Sequence, residues 1–318
     1  MDIVIATLTS PVILFFILGM LAAFARSDLA IPEAIAKGLS LYLMAAIGLK
    51  GGVAVSESGF TPDLALAAIA GVALSFAIPY FAYALLTGFG KLDRINAGAV
   101  SAHYGSVSVV TFVTASEIFT GQSMGPAGYM VAVLALMETP AIISGLMLAR
   151  RGEKRENGNG GLLHEVLLNA SVVLLMGSFA IGLVAGPVGF EPIAPLFQIP
   201  FTGVLCFFLL DMGLVAARRL VEARAMTVRL TTLGILFPLI NGTIGTVLGT
   251  MIGLDVGSTA ALGVLAASAS YIAVPAAMRM ALPEADPGLY LSMSLGVTFP
   301  FNIIFGIPLF AALAQAIG

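Results

Sequence analysis

Apolar residues run through this chain in long blocks separated by short polar interruptions. About ten such blocks stand out, at roughly 8–25, 34–53, 63–88, 95–119, 125–149, 164–186, 197–217, 229–252, 257–281 and 287–315. Each is near the ~20 residues with which an α-helix crosses about 30 Å of hydrocarbon. The blocks are apolar on most faces rather than along one stripe, which suits burial in a bundle or in lipid. The pattern predicts an all-α polytopic membrane protein of about ten transmembrane helices. One interruption is plainly aqueous: Arg150 to Gly161 is charged, then rich in Gly and Asn, and reads as a flexible linker. The expected organisation is a first five-helix half over 1–149, a cytoplasmic linker over 150–163, and a second half over 164–318.

Composition agrees with the blocks. Hydrophobic residues make up 59% of the chain and charged residues 10%, against about 25% charged in a soluble domain. So little charge cannot solvate a surface of this size, and lipid must supply much of the surroundings. The formal net charge of −3 comes without a basic stripe, which argues against nucleic acid. The single cysteine, Cys206, lies in an apolar run and reads as a small core residue. Met1 to Thr9 carries Asp2 and no basic residue, unlike a secretory signal, so the first block is expected to be a retained helix.

Charge placement sets an expected orientation. If odd-numbered blocks run inward, Arg26, Lys37, Lys91, Arg94, Arg150, Arg151, Lys154, Arg155, Arg218, Arg219, Arg224, Arg229 and Arg279 fall at one face, and of the 14 basic residues only Lys50 falls near the other. The positive-inside rule makes the basic face cytoplasmic, in the inner (plasma) membrane, with both termini outside.

The two halves resemble each other. Aligning Ala102 of the fourth block with Ala266 of the ninth pairs Ser106 with Ser270 and Val100 with Val264. Pro126, Tyr129 and Gly145 of the fifth block fall opposite Pro287, Tyr290 and Gly306 of the tenth. Five helices are an odd number, so a second such half enters from the opposite side: an inverted repeat, as in many secondary transporters. The competing explanation is chance similarity in a chain rich in Ala, Gly and Val.

The fourth and ninth blocks carry small and hydroxyl residues in mid-span, Gly105-Ser106-Val107-Ser108 and Ser268-Ala269-Ser270-Tyr271. Such residues permit either close crossing or a break in the helix. If both helices break, inverted topology aims two helix N-termini at one point, each with about half a positive charge and free N–H donors. With the Ser106 and Ser270 hydroxyls this makes an anion site without Arg or Lys. The carbonyl ends of the preceding half-helices, with nearby oxygen side chains, suit Na⁺. Glu138, in the middle of the fifth block, is a carboxylate whose insertion costs about 2.5–3.5 kcal/mol at a helix centre, which makes it a functional candidate that could supply oxygens to Na⁺; a helix-stabilising hydrogen bond or a gating acid is the competing role. Thr298 and Asn302 flank Pro300 in the tenth block and could add oxygens to Na⁺; interhelical hydrogen bonding is the competing role. His103 is expected to be a hydrogen-bonded packing residue, Asp211 to pair with Arg218 or Arg219, and Lys50 to snorkel to water.

At these residues the chain resembles the SbtA-type sodium-dependent bicarbonate transporters. The resemblance spans nearly the whole chain and rests on the order of several passages: Ile47-Gly48-Leu49-Lys50-Gly51-Gly52; Gly105-Ser106 with Glu117 downstream; Met137-Glu138-Thr139-Pro140; Ala266 to Ile272; Ile307-Pro308-Leu309-Phe310; and Ala314 to Gly318. It implies Na⁺-coupled symport of bicarbonate by an elevator motion in a homotrimer, with a gate domain of helices one, two, six and seven and a core domain of the rest. Bicarbonate would then lie against Gly105, Ser106, Val107, Ser108, Ala269, Ser270 and Tyr271, and Na⁺ against Ser268, Glu138, Thr298 and Asn302. Cyanobacterial members carry an acidic residue where Tyr271 stands, and a longer central linker, which bears on binding of a PII-like regulator. Bicarbonate is small and singly charged, whereas a dicarboxylate usually needs a basic residue. The alternatives are a Na⁺ or H⁺ symporter of another small anion and, from a different class, an anion channel or membrane sensor. No HExxH motif is present and no Ser-His-Asp spacing is evident, so an enzyme is not expected.

Overall fold

A computed structural model of the protein describes residues 2–59, 61–151, 170–222 and 226–318. Residues 152–163 of the expected linker, 164–169 of the sixth block and Arg224 fall outside the described residues. The described residues are helical apart from short connections. The elements are α1 (Asp2–Leu8), α2 (Pro11–Phe24), α3 (Glu33–Ser58), α4 (Pro62–Gly88), α5 (Arg94–Gly105), α6 (Val109–Gly121), α7 (Met130–Leu136), α8 (Glu138–Ala149), α9 (Ala170–Phe190), α10 (Ala194–Phe197), α11 (Phe201–Glu222), α12 (Val228–Met251), α13 (Val256–Ala267), α14 (Ala273–Ala281) and α15 (Pro287–Ile317). Among the described residues, seven stretches are long and apolar enough to cross a membrane. The fourth and ninth blocks are instead each built from two shorter helices, α5–α6 and α13–α14, and the first is the 14-residue α2.

Helix starts are written locally. Ser10, Thr61, Asp93, Ser108, Thr227, Asp255 and Asp286 each accept a hydrogen bond from a backbone N–H in the first turn of the helix that follows. Such caps satisfy donors that the helix itself leaves free. Pro11, Pro62 and Pro287 occupy first-turn positions, where their missing N–H costs nothing.

Glycine sets which helices touch. Gly19 of α2 and Gly213 of α11 press on each other's backbones, and Gly48 and Gly52 of α3 face Gly182 and the Leu175 and Phe179 carbonyls of α9. A Cβ at Gly52 would stand 2.0 Å from the Phe179 oxygen. Likewise α5 crosses α8 at Gly98 and Gly145, and α12 crosses α13 at Gly245, Gly249 and Gly263. Close backbone approach is how helices gain contact where lipid removes the hydrophobic drive. The outward side is apolar, with Val184 88% exposed and Ile199 80% exposed.

Polar contacts identify the two ends of the bundle. At one, Arg94 Nη1 donates to the Arg151 carbonyl (2.6 Å), Arg150 donates to the Ala281 carbonyl, and the Asp286 N–H donates to Asn96 (2.8 Å). At the other, Gln122 donates to Thr7 (3.0 Å) and the Ala127 N–H donates to Ser258 (3.0 Å). Thus α5 and α13 run toward the middle from opposite ends. Nearby, Arg218 donates to the Leu29 carbonyl (3.3 Å), while Asp211 stays buried.

Candidate functional site

The chain leaves helical geometry twice in the middle of the bundle. After Gly105, Ser106 is extended (φ −86°, ψ 173°), and α6 starts only at Val109. After Ala267, Ser268 is extended (φ −78°, ψ 161°), and α14 starts at Ala273. The Ser108 side chain restarts the first helix by accepting from the Thr111 N–H (3.2 Å) and the Thr111 hydroxyl (2.9 Å). Gly105 is needed where it stands: a Cβ there would lie 2.4 Å from Pro79 Cγ and 2.8 Å from the Ser75 carbonyl oxygen.

The two breaks are bonded to each other. The Ser108 N–H donates to Ser268 Oγ (2.9 Å), and the Ser270 N–H donates to the His103 carbonyl (2.9 Å). His103 Nδ1 lies 2.5 Å from the Ser270 carbonyl oxygen. A carbonyl only accepts, so this contact assigns the imidazole proton to Nδ1. The ring also stacks on Tyr290 with centroids 4.6 Å apart. His103 therefore has the packing role expected of it, and it clasps one break to the other.

A second layer comes from α15. This helix widens into π turns over Ser292–Thr298 and Asn302–Gly306, each ending two residues before a proline, Pro300 and Pro308. π turns inside α-helices frequently mark functional positions. Asn302 Nδ2 donates to the Ala267 carbonyl (2.8 Å), the last residue of α13. The Thr298 hydroxyl donates to the Gly234 carbonyl (2.6 Å) and accepts from the Tyr104 hydroxyl (2.7 Å). Ser268 and Asn302 are thus held at the end of α13, whereas Thr298 is bonded to α12 and, through Tyr104, to the end of α5.

Several polar atoms here are buried without a hydrogen-bond partner: Ser106 Oγ, Asn302 Oδ1, the Tyr271 hydroxyl and His103 Nε2. Tyr271 packs edge-on against Phe299 (5.1 Å between centroids), with its hydroxyl on the side of Ser108 but outside bonding geometry. An unpaired buried polar group costs about 1–3 kcal/mol, so a concentration of them at one crossing points to a bound ligand. Val107 and Ala269 complete the two breaks as buried apolar wall.

Glu138 opens α8, 3% exposed and with no hydrogen bond or ion pair among the described residues. Its neighbour Met137 is tied to α4 through its carbonyl, which accepts from Ser75 Oγ (2.5 Å), and the Ser75 carbonyl abuts Gly105. Glu138 is linked in this way to the first break. No hydrogen bond joins it to Ser268, Thr298 or Asn302.

A family model described as the Na⁺-dependent bicarbonate transporter superfamily matches residues 11–315, nearly the whole chain. No curated protein matches it.

Proposed function

We propose that this chain, which belongs to the Na⁺-dependent bicarbonate transporter superfamily, imports bicarbonate by Na⁺-coupled symport, with the two helix breaks as the anion site. Family membership supports a membrane transporter. The observation that carries the site is the unpartnered Ser106 Oγ at the meeting of two broken helices that enter from opposite ends. Bicarbonate oxygens would accept from Ser106 Oγ, from Ser270 Oγ and from free N–H groups at the starts of α6 and α14, whose dipoles favour an anion. Gly105, Val107, Ser108, Ala269 and Tyr271 would border it. Na⁺ would take the unpartnered Asn302 Oδ1, the remaining lone pairs of Ser268 and Thr298, and carbonyls at the ends of α5 and α13. Glu138 supplies the nearby negative charge.

In the same reading the halves are inverted repeats. A gate body (α1–α3 and α9–α11) faces a core body (α4–α8 and α12–α15), and the core carries both ligands past the gate in elevator fashion. Glycine-mediated pairing of α2 with α11 and of α3 with α9 supports that division. The basic end is taken as cytoplasmic. A homotrimer, and a PII-like regulator at the basic face, belong to the same proposal.

The test is uptake of labelled bicarbonate into proteoliposomes with and without an inward Na⁺ gradient, for wild type and Ser106→Ala/Ser270→Ala. Na⁺-driven accumulation lost in the double variant is expected. Accumulation driven by a proton gradient alone would move the coupling to Glu138, and equilibration without accumulation would make the protein a channel.

A further inference from the structure

Away from the crossing of the breaks, a cavity of about 180 Å³ opens between α3, α6, the residues leading into α7, and the start of α11. It holds one ammonium and one carboxylate. Lys50 Nζ lies 4.4 Å from the centre of the Phe201 ring, whose π face partly replaces water around the charge. Glu117 accepts the Thr202 hydroxyl hydrogen on Oε1, and its other oxygen makes no hydrogen bond. Lys50 and Glu117 are within electrostatic reach of each other yet form no ion pair. Ser116 lines the same cavity, 7% exposed, with a hydroxyl that has no partner. Two opposite charges that face one cavity without closing on each other leave a place for a ligand that complements both.

We propose that this cavity is a second anion site and that it selects hydrogencarbonate by its proton. The ligand's oxygens accept from Lys50 Nζ and Ser116 Oγ, and its O–H donates to Glu117 Oε2. Nitrate, chloride and carbonate carry no proton to donate, so each would leave Glu117 unpaired and meet its charge. Hydrogen-bonding sites reject analogues that lack the matching hydrogen for this reason. The cavity lies toward the end of α6 away from Arg94. On the orientation and transport reading above, on which its role rests, it captures the anion from outside before transfer to the central site.

The test uses the full chain in detergent at mildly alkaline pH, reading line broadening of carbon-labelled bicarbonate by NMR. The Ser106→Ala/Ser270→Ala background removes the central site as a contributor. Broadening should persist there, and added Lys50→Met should weaken binding by about tenfold. Added Glu117→Gln, which can keep the Thr202 bond and so tests binding without unfolding, should let nitrate displace bicarbonate at roughly tenfold lower concentration. Loss of all binding in the double variant, or binding indifferent to Lys50 and Glu117, overturns the proposal. Binding that follows these expectations, in a protein that shows no Na⁺-driven uptake, would sustain the cavity and sink the transport reading instead.

Discussion

The two breaks look alike in composition but are held in different ways. The first leaves three residues between helices, Ser106 to Ser108, and is self-contained: Ser108 caps α6 and Gly105 fits against Pro79. The second leaves five, Ser268 to Ile272; Ile272 cannot cap α14, whose first turn is met by a long bond from the Val274 N–H to Ser270 Oγ (3.4 Å). Its bonds reach across to the first break, from Ser268 to Ser108 and from Ser270 to His103. The first break is thus capped more firmly by its own residues, and the second, with weaker local bonds, leans more on the bonds the two share. Their serines divide accordingly. Ser268 Oγ both donates to the Leu265 carbonyl and accepts from Ser108, whereas Ser106 Oγ is engaged with nothing in the protein.

The comparison is broken most severely at Gly105. Gly105→Val drives a branched side chain into Pro79 and Ser75, which should destabilise the protein by about 3 kcal/mol. Fluorescence-detected size exclusion after solubilisation would report the loss of folded material. A wild-type profile would mean that the first break is not anchored by that contact. Next comes the split between serines. Ser268→Ala leaves the buried Ser108 N–H unpaired and should cost about 2 kcal/mol of stability. Ser106→Ala should leave the melting temperature unchanged while raising KM for bicarbonate. Parallel thermal unfolding and uptake assays check the pair, and equal melting losses in both would erase the distinction.

Smaller effects sharpen the clasp between breaks. His103→Phe keeps an aromatic ring on Tyr290 but removes the donor to Ser270, at a cost of about 1 kcal/mol. His103→Gln, which can donate again, should recover part of it. The smallest effect lies outside the membrane, at Asp93, the cap of α5. Burial opposes its ionisation, but hydrogen bonds from Asn96 and Ile95 outweigh that and hold its carboxyl below the usual carboxylate range. A lowered folded pKa means that the cap's stabilisation is fully present above the unfolded carboxylate's range and is lost as pH falls through the folded value. The melting difference between wild type and Asp93→Ala should therefore shrink on strong acidification. A difference independent of pH would assign the cap to hydrogen bonding without charge.

Much of the site was readable in one dimension. Gly105, Ser106 and Ser108, and Ser268 and Ser270, interrupt runs where Leu or Ile is expected, and the helices break at those residues. The caps too are local, since a side chain reaches an N–H only two or three residues ahead. Other features left no such signature. The π turns of α15 carry ordinary apolar residues, and only Pro300 and Pro308 hint at them. The cavity between Lys50, Glu117 and Phe201 joins residues more than 60 positions apart, none of which stands out by spacing. Asp211, expected to pair with Arg218 or Arg219, is within electrostatic reach of Arg218, while the Arg218 hydrogen bond goes to the Leu29 carbonyl, a partner that spacing does not show.

By itself the sequence determined the medium and the local geometry: apolar length selects the bilayer, caps and prolines start the helices, and glycines fix how closely they approach. Only tertiary structure decided which buried groups are satisfied. Whether Ser268 is bonded and Ser106 is not depends on which break faces it from the other half of the chain. A hydrogen bond forms only where donor and acceptor meet within about 3 Å, and no pattern along one strand of sequence states where two distant segments will cross.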